Sequence, residues 1–310
     1  MKIKFKTPFL EVPSSGVMSA DLLRKHSDAA EALIAFNLKG RPRTEAALRD
    51  CLEQYYTDER FVRLMMAFIA THFAPEGHLV VEPSAGSGAI AKFLPCHSIL
   101  MDADGEYDSI TKTNFLVTTI NTMRKIAVIG NPPFGSAVAF FNHAAIFGEN
   151  VEKIAMILPL TFRRESTVRK LDCRFHLVAE MDVPAWAFLC GGAPYNVPAT
   201  LQIWERRDVK RVDPPEIKSH SDFTFGAARG AAFGFQRVGT NAGRIHDEMH
   251  RSAEAHLFVK ARRDDRRPYV EAMFNSIDWT SVARNTSAKP YITRSEIYAE
   301  YNKLERVMYG

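Results

Sequence analysis

The strongest chemical signal in the sequence is the run Asn131-Pro-Pro-Phe134. It follows the apolar residues Ile126–Ile129, which predict a short buried strand ended by Gly130. Two consecutive prolines fix φ and remove two backbone donors, so the turn itself aims a carbonyl of this loop. Asn131 adds a side-chain acceptor beside that carbonyl, and Phe134 offers a flat aromatic face. The two acceptors and the aromatic face together suit an amino group on an aromatic ring as the ligand. The alternative interpretation is an ordinary strand-to-helix turn.

A glycine-rich turn, Ser84-Ala-Gly-Ser-Gly88, follows an earlier predicted strand over residues 78–83. Its glycines let a ligand approach the backbone, and a helix predicted from this turn through Leu94 offers N–H donors at its N-terminus. The next predicted strand ends in Asp102 and Asp104. A carboxylate in that position can accept both hydroxyls of a ribose. A bare strand-to-helix turn is the alternative interpretation.

The Asn-Pro-Pro-aromatic run resembles the catalytic motif of the amino-methyltransferases, which use S-adenosylmethionine to methylate exocyclic nitrogens of bases or the side-chain amide of glutamine. Tyr55-Tyr-Thr57, before a helix predicted from Glu59, resembles the motif that lies against the methionine end of the cofactor in many adenine methyltransferases. Asp58 replaces the usual following proline, and Thr57 is the predicted N-cap. The order of the motifs resembles that of the gamma-type N6-adenine DNA methyltransferases.

The resemblance implies S-adenosylmethionine as the cofactor. Glu82 would serve the methionine amine, while Gly86 and Gly88 would lie under the carboxylate and the ribose. For the ribose hydroxyls the resemblance favours Asp102 over Asp104.

A second cofactor segment is implied at Asn114, which stands where the family has an acid that accepts a hydrogen bond from the cofactor adenine. Phe115 would flank that adenine ring. The complete predicted cofactor set is Tyr56, Thr57, Glu82, Ser84, Gly86, Gly88, Asp102, Asn114 and Phe115.

For catalysis the resemblance implies that Asn131 and the carbonyl of Pro132 hold the two hydrogens of adenine N6. This nitrogen is a poor nucleophile because its lone pair is delocalised into the ring. Positioning and electrostatics would favour a tetrahedral nitrogen aimed at the methyl group. Phe134 would stack on the target base, flipped out of a duplex into the pocket. Pro133 would contact the same base, and Tyr195 is a candidate for its second face, with packing at a loop tip as the alternative.

The sequence therefore predicts an enzyme that methylates the N6 amine of adenine in DNA. Similar motifs occur in enzymes that act on adenine N6 or guanine N2 of RNA and in those that methylate glutamine of release factors, so RNA stays open as the substrate. A nucleic-acid-binding protein with an inactive methyltransferase fold is the rival from another class. Cytosine C5 methylation is excluded, because it needs a Pro-Cys nucleophile where Asn131-Pro-Pro-Phe134 stands.

Strands and helices alternate through the middle of the chain, which predicts a Rossmann-like, doubly wound and mostly parallel α/β sheet of the class I methyltransferase kind. We divide the chain into an N-terminal arm with helices (1–50), a methyltransferase domain (51–208) and a small basic C-terminal domain (209–310). Two helices are predicted near the N-terminus, over residues 19–36 and 44–54.

The C-terminal segment holds 17 Lys and Arg against 13 Asp and Glu, which accounts for the whole formal charge of +4. Glycine, arginine and aromatic residues are frequent around Arg237 and Arg244, and such a segment can follow a phosphate backbone and stack on bases. A β-rich extension with glycine turns is the alternative.

The composition of the 310 residues, 46% hydrophobic and 25% charged, is ordinary for a globular protein. No apolar run approaches the ~18 residues of a membrane span, and the basic start lacks the apolar core of a signal peptide. Four cysteines without CxxC spacing and scattered histidines indicate neither a disulfide framework nor a metal site. We expect a cytoplasmic protein with DNA or RNA as its partner, no membrane and no metal.

Overall fold

The computed structural model describes residues 9–11, 56–103, 107–190, 193–286 and 289–309. They form two compact units. The first unit holds the described residues up to Pro159 together with Thr167–Val212, and the second unit holds Leu160–Ser166 together with the described residues from Asp213 onward. The helices predicted over residues 19–36 and 44–54, and Asp104, lie outside the described residues.

The first unit contains a seven-stranded sheet and two smaller sheets. Its strands are β1 (Phe9–Glu11), β2 (Tyr56–Thr57), β3 (Leu79–Glu82), β4 (Ile99–Asp102), β5 (Thr111–Lys112), β6 (Thr119–Asn121), β7 (Ile126–Gly130), β8 (Val151–Pro159), β9 (Phe175–Asp182), β10 (Phe188–Cys190), β11 (Ala193–Tyr195) and β12 (Ala199–Arg206). Its helices are α1 (Glu59–Ala70) and α2 (Ala137–Ala144), and a short helix, α3 (Glu165–Val168), crosses the boundary between the units.

The order of the large sheet is β5-β4-β3-β7-β8-β12-β9. All neighbours are parallel except β12, which is antiparallel to both β8 and β9. This order, with its single antiparallel strand, is that of the class I methyltransferase fold, so the predicted fold class is confirmed. The order reverses between β3 and β7, and in open α/β sheets ligands bind outside the carboxyl ends of the strands at such a point.

The sheet buries both of its faces, as the apolar strands require. On one face, α1 packs its buried side chains Phe61 and Met65 against a cluster that includes Ile129 of β7 and Ile203 of β12. On the other face, Phe141 of α2 contacts the ring of Trp204, the neighbour of Ile203 in β12, with ring centroids 5.2 Å apart. Successive strand residues point to opposite faces, so the two helices cover different sides.

Two local expectations differ from the structure. The N-cap of α1 is Asp58, whose carboxylate accepts from the backbone N of Arg60 at 2.8 Å, and not Thr57. Aspartate is among the best N-caps because its oxygen can satisfy an amide of the first turn. After the glycine-rich turn, the helix predicted through Leu94 is wrong: only a 3₁₀ turn forms, Ala91–Phe93. Leu94 is extended, as expected for a residue directly before a proline, here Pro95.

The second unit is a four-stranded antiparallel sheet with helices packed on it. The strands are β13 (Phe223–Gly226), β14 (Phe233–Gln236), β15 (Ile245–His246) and β16 (His256–Ala261), in the order β13-β16-β14-β15. The helices are α4 (Arg267–Ser276), α5 (Trp279–Arg284) and α6 (Arg294–Tyr309). Aromatic rings dominate the core of this unit, with Phe274 in contact with Phe223, Phe233 and Phe235.

Residues 160–166 belong to the second unit although they follow β8 directly in the chain, so this unit includes a segment that the sequence division placed in the methyltransferase domain. Arg164 shows why. Its guanidinium donates to the carbonyls of Asn285 at 2.5 Å and Tyr291 at 2.8 Å, forms an ion pair with Glu296 at 3.3 Å, and lies 3.9 Å from the centroid of the Tyr291 ring. The side chain is almost fully buried.

Arg164 should therefore be a main stabilising residue of the second unit. Replacing it with Met removes one donor from each of two carbonyls and the positive charge from the Glu296 carboxylate, and breaking a buried ion pair typically costs about 3–5 kcal/mol. We expect Arg164→Met to lower the free energy of unfolding by this order in urea denaturation. Lys218→Met, which removes a positive charge from a side chain 79% exposed in the same unit, should change it by less than about 1 kcal/mol. Equal effects of both variants would contradict this role.

Candidate active site

Two loops meet where the strand order of the large sheet reverses: Ser84 and its neighbours leave the end of β3, and Asn131 leaves the end of β7. The hydroxyl of Ser84 donates to the backbone carbonyl of Asn131 at 2.9 Å. The strands approach closely here, because a Cβ on Gly130 would lie 2.9 Å from Cδ of Pro83. The predicted cofactor loop and the predicted catalytic loop therefore form one site, held together by a glycine and a hydrogen bond.

The side chain of Asn131 is oriented by the Tyr-Thr motif. Its Nδ2 donates to Oγ1 of Thr57 at 3.3 Å, and its Oδ1 is buried. Thr57 is itself buried in β2, which pairs with β10 so that Thr57 lies opposite Phe188. Residues 74 positions apart in the chain thus contact each other, and the amide of Asn131 has a defined direction.

The rest of the loop is stiff. Pro132 is buried, and Pro133 uses its carbonyl to accept from the backbone N of Ser136 at 3.0 Å, which starts a 3₁₀ turn at Phe134. The Phe134 ring is half-buried and meets Phe188 edge to face, with centroids 6.1 Å apart. Phe134 therefore combines a packed edge with a partly accessible ring.

Glu82, the last residue of β3, is a buried carboxyl group, 1% exposed. Burial raises the pKa of Glu82 to about 8 from an ordinary 4.5, and the nearby charge of Asp102 adds to this rise. Its Oε2 makes no hydrogen bond with any described residue. A buried carboxyl oxygen of this kind is suited to a cationic hydrogen-bond donor brought by a ligand.

The glycine turn folds back on the end of β4. The backbone N of Gly86, which has a φ of +51°, donates to Oδ2 of Asp102 at 2.9 Å. Tyr56 lies over the same glycine, with a ring carbon 3.8 Å from the position of a Cβ. Gly88 also has a positive φ, +80°, and its missing Cβ would lie 2.4 Å from the ring of Tyr107. The backbone conformation and the contact with Tyr107, which the sequence interpretation lacked, together account for a glycine at this position.

Two predicted cofactor contacts have structural duties. Oδ1 of Asn114 accepts from the backbone N of Leu116 at 2.9 Å and so caps a 3₁₀ turn. The ring of Phe115 is fully buried and stacks with Phe140 and Phe147, with centroids 5.6 and 5.0 Å apart. The structure places Phe115 in the core, and its contact with a cofactor adenine stays a prediction.

The remaining predicted residues lie in different units. Tyr195 in β11 is exposed and lies opposite Phe188 of β10, in the same small sheet as Thr57. In the second unit, Arg244 is exposed, whereas Arg237 is half-buried and its Nε is buried without a hydrogen bond to described residues. Both arginines flank the turn that joins β14 to β15.

The described residues include no helix that is long and apolar enough to cross a membrane. They also include no group of three or more His, Cys, Asp and Glu side chains that could hold a metal ion.

No protein-family model and no curated protein matches the chain. Among solved structures, it is similar to PH1948 of Pyrococcus horikoshii, a proposed RNA methyltransferase, at 15% identity and a TM-score of 0.40, covering 60% of this chain and 98% of that one. It is also similar to magnesium protoporphyrin IX methyltransferase from Synechocystis PCC 6803 with bound S-adenosylmethionine, at 12% identity, a TM-score of 0.33 and coverages of 60% and 96%. A third similar structure is a modification subunit of a proposed type I restriction enzyme from Vibrio vulnificus YJ016. Its sequence identity is 14% and the TM-score is 0.36, and the match covers 79% of this chain and 61% of that one.

The buried carboxyl group makes a prediction about pH. Between pH 4.5 and 8 the unfolded chain loses the Glu82 proton that the folded chain keeps, so stability falls as pH rises through this window and is level above it. One proton corresponds to about 1.4 kcal/mol per pH unit. Glu82→Gln should abolish this fall, measured as unfolding midpoints from pH 5 to 9. Exposed Glu76→Gln should keep the wild-type profile; parallel profiles for wild type and Glu82→Gln would refute the assignment.

Proposed function

We propose that this chain transfers a methyl group from S-adenosylmethionine to the exocyclic N6 amine of adenine in DNA. The observation that carries the proposal is the Asn131 side chain. It lies at the carboxyl end of β7, where the strand order reverses, and it is oriented by Thr57 while Ser84 holds its backbone. A stiff loop with an amide and a neighbouring aromatic ring suits an aromatic amine better than it suits a hydroxyl or thiol acceptor.

The residues at the ends of β3 and β4 fit this cofactor. Oε2 of Glu82 is buried without a hydrogen bond to described residues, which suits the ammonium group of the methionine moiety. Gly86, with its positive φ and the Tyr56 ring above it, lets a ligand approach the backbone. The carboxylate of Asp102 stands at the carboxyl end of β4, where ribose hydroxyls are recognised in sheets of this kind. When bound, the cofactor supplies an electrophilic sulfonium methyl group.

Asn131 and Pro132 would act on the adenine amine. Oδ1 of Asn131 and the carbonyl of Pro132 each accept one N–H, which draws the N6 lone pair out of conjugation and aims it at the methyl carbon. The bond between N6 and the methyl carbon would form as the bond from that carbon to sulfur breaks, with the sulfur keeping the electron pair, and the extra proton on N6 would pass to solvent water. Phe134 stacks on the base, and Pro133 and Tyr195 complete its surroundings. Positioning of this kind needs no covalent intermediate.

The test is single-turnover transfer of a labelled methyl group to DNA, RNA and protein pools, followed by nucleoside analysis. N6-methyladenine in DNA is the expected product. Labelled RNA without labelled DNA would indicate that the substrate is RNA and not DNA. Cofactor binding in calorimetry without transfer to any pool would favour the inactive-fold alternative.

Asn131→Ala should lower the single-turnover rate by about 10²–10³-fold, because it removes one preorganised acceptor at the reacting nitrogen. Cofactor affinity should be unchanged, since Asn131 faces the target. Phe134→Ala should weaken productive binding of the base, and Phe134→Trp should be tolerated because an aromatic face remains. Exposed Asn121→Ala in β6, which precedes β7, is the matched control and should keep the full rate. A full rate in Asn131→Ala would show that the loop is an ordinary turn without a catalytic role.

The second unit is proposed to contact nucleic acid through its basic surface. The two arginines of the β14–β15 turn distinguish a residue that binds phosphate from a residue that stabilises the fold. Exposed Arg244→Gln should weaken binding to all DNA sequences and reduce the slope of log affinity against log salt by about 0.9. Arg237→Gln, at a half-buried side chain, should instead lower the stability of the unit. Binding titrations over a salt series check this. Unchanged affinity and slope in Arg244→Gln would leave the turn with a structural role only.

A further inference from the structure

An exposed tryptophan lies near the candidate active site. Trp186 is 36% exposed, whereas the other two tryptophans of the chain, Trp204 and Trp279, are 1% and 4% exposed. It lies in the turn between β9 and β10, four residues after β9 ends. Since β9 runs parallel to β7, this turn is at the same edge of the sheet as Asn131. A large aromatic ring that stays partly exposed at the sheet edge with the candidate active site suggests a binding role.

Arg60 covers part of this ring. Its guanidinium carbon lies 5.1 Å from the centroid of Trp186, a cation–π distance. The carboxylate of Asp58 holds the guanidinium in place, accepting from Nε at 3.0 Å and from Nη2 at 2.7 Å. These hydrogen bonds lower the pKa of Asp58, so the carboxylate stays ionised. The Arg60–Trp186 pair is therefore preorganised before any ligand arrives.

The pair is coupled to the catalytic loop by consecutive backbone contacts. Thr57, which binds the Asn131 amide, lies opposite Phe188 in the pairing of β2 with β10. One position further, the backbone N of Asp58 donates to the carbonyl of Ala187 at 2.8 Å. Trp186 precedes Ala187 directly, and Arg60 follows Asp58 by two residues in the first turn of α1. Both therefore lie within three residues along the chain of Thr57 and Phe188, which contact Asn131 and Phe134.

A further arginine lies on the same helix as Arg60. Arg63 follows Arg60 by one turn on the exposed side of α1, and its guanidinium lies 4.9 Å from the Phe93 ring. Glu59 is neutralised by an ion pair with Lys92, and Asp58 is neutralised by Arg60. Arg63 thus remains to attract a phosphate, while Trp186 offers a ring for stacking. Aromatic faces next to arginines are the usual means of binding single-stranded nucleic acid.

We propose that Trp186, with Arg60 behind it, stacks on an unpaired nucleobase next to the methylated one, while Arg63 attracts the adjoining phosphate. This rests on the proposed function and deepens it, because it identifies the substrate as a strand that is single or locally opened on one side of the target. Stacking is tolerant of sequence, so the contact supplies affinity for the opened strand and no base preference.

Trp186 is itself the probe. Titration with a short single-stranded oligonucleotide containing one adenine should quench the emission of Trp186, while the buried Trp204 and Trp279 contribute a constant background. Trp186→Phe should lose the quenching and keep the affinity, measured by anisotropy of a labelled oligonucleotide, because the ring face remains. Trp186→Ala should weaken binding by about 10–100-fold, as expected for one base–aromatic stack. The matched control is Leu64→Ala, which removes an exposed apolar side chain on α1 that has no part in the proposed contact, and this variant should bind normally.

The outcomes separate the two proposals. Unchanged affinity in Trp186→Ala, with wild-type emission insensitive to the oligonucleotide, would overturn the stacking role while methyl transfer by the wild type still supported the proposed function. Quenching of the wild-type emission together with weaker binding in Trp186→Ala, but without methyl transfer by the wild type to any pool, would support the stacking role and contradict the proposed function. Thermal unfolding of each variant confirms that the fold is retained, and the Phe variant keeps the test decisive if the Ala variant is unstable.

Discussion

The close approach of β3 and β7 is the constraint on which the site depends. It is possible because Gly130 has no side chain, so the ring of Pro83 packs directly against the backbone at the end of β7. The hydroxyl of Ser84 then reaches the carbonyl of Asn131. Without this contact the glycine-rich turn and the Asn-Pro-Pro-Phe loop would be separate turns at one edge of a sheet. With it, a group bound by one loop lies next to the other.

The site also contains a group whose burial opposes folding. Glu82 ends a strand whose residues are all buried, and its carboxyl group loses hydration without gaining a hydrogen bond from the described residues at Oε2. The raised pKa, about 8, expresses this cost. Groups of this kind occur where a ligand completes the hydrogen bonding, because selection for packing alone would favour an apolar or amide side chain. Glu82 is therefore best understood together with the proposed cofactor.

The two units use different means to order their polar groups. In the first unit, short hydrogen-bonded connections such as Asn131–Thr57 and Asp58–Arg60 join residues near the sheet edge. In the second unit, the buried guanidinium of Arg164 donates to two carbonyls, forms an ion pair with a carboxylate and lies over an aromatic ring. Arginine suits this task because its fixed fork has five donors and cannot lose its charge.

Local sequence determined the elements whose causes are local. The apolar run before Gly130 forms β7, the glycine-rich turn follows β3, and the alternation of strands and helices gives the parallel sheet. Asn131, Thr57 and Ser84 could also be selected in advance, because they lie in the three motifs that resemble those of the amino-methyltransferases. The N-cap of α1 lies one residue later than predicted, at Asp58 and not at Thr57.

Only the tertiary structure decided which of these residues meet. It placed Phe115 in the core, Tyr107 against Gly88, and residues 160–166 in the second unit. It also brought Arg60 over Trp186, which are far apart in the chain and show no motif. Contacts of this kind depend on strand order and on which face of an element is buried. One sequence without its relatives contains no record of either, because propensity and spacing describe neighbours along the chain and not across it.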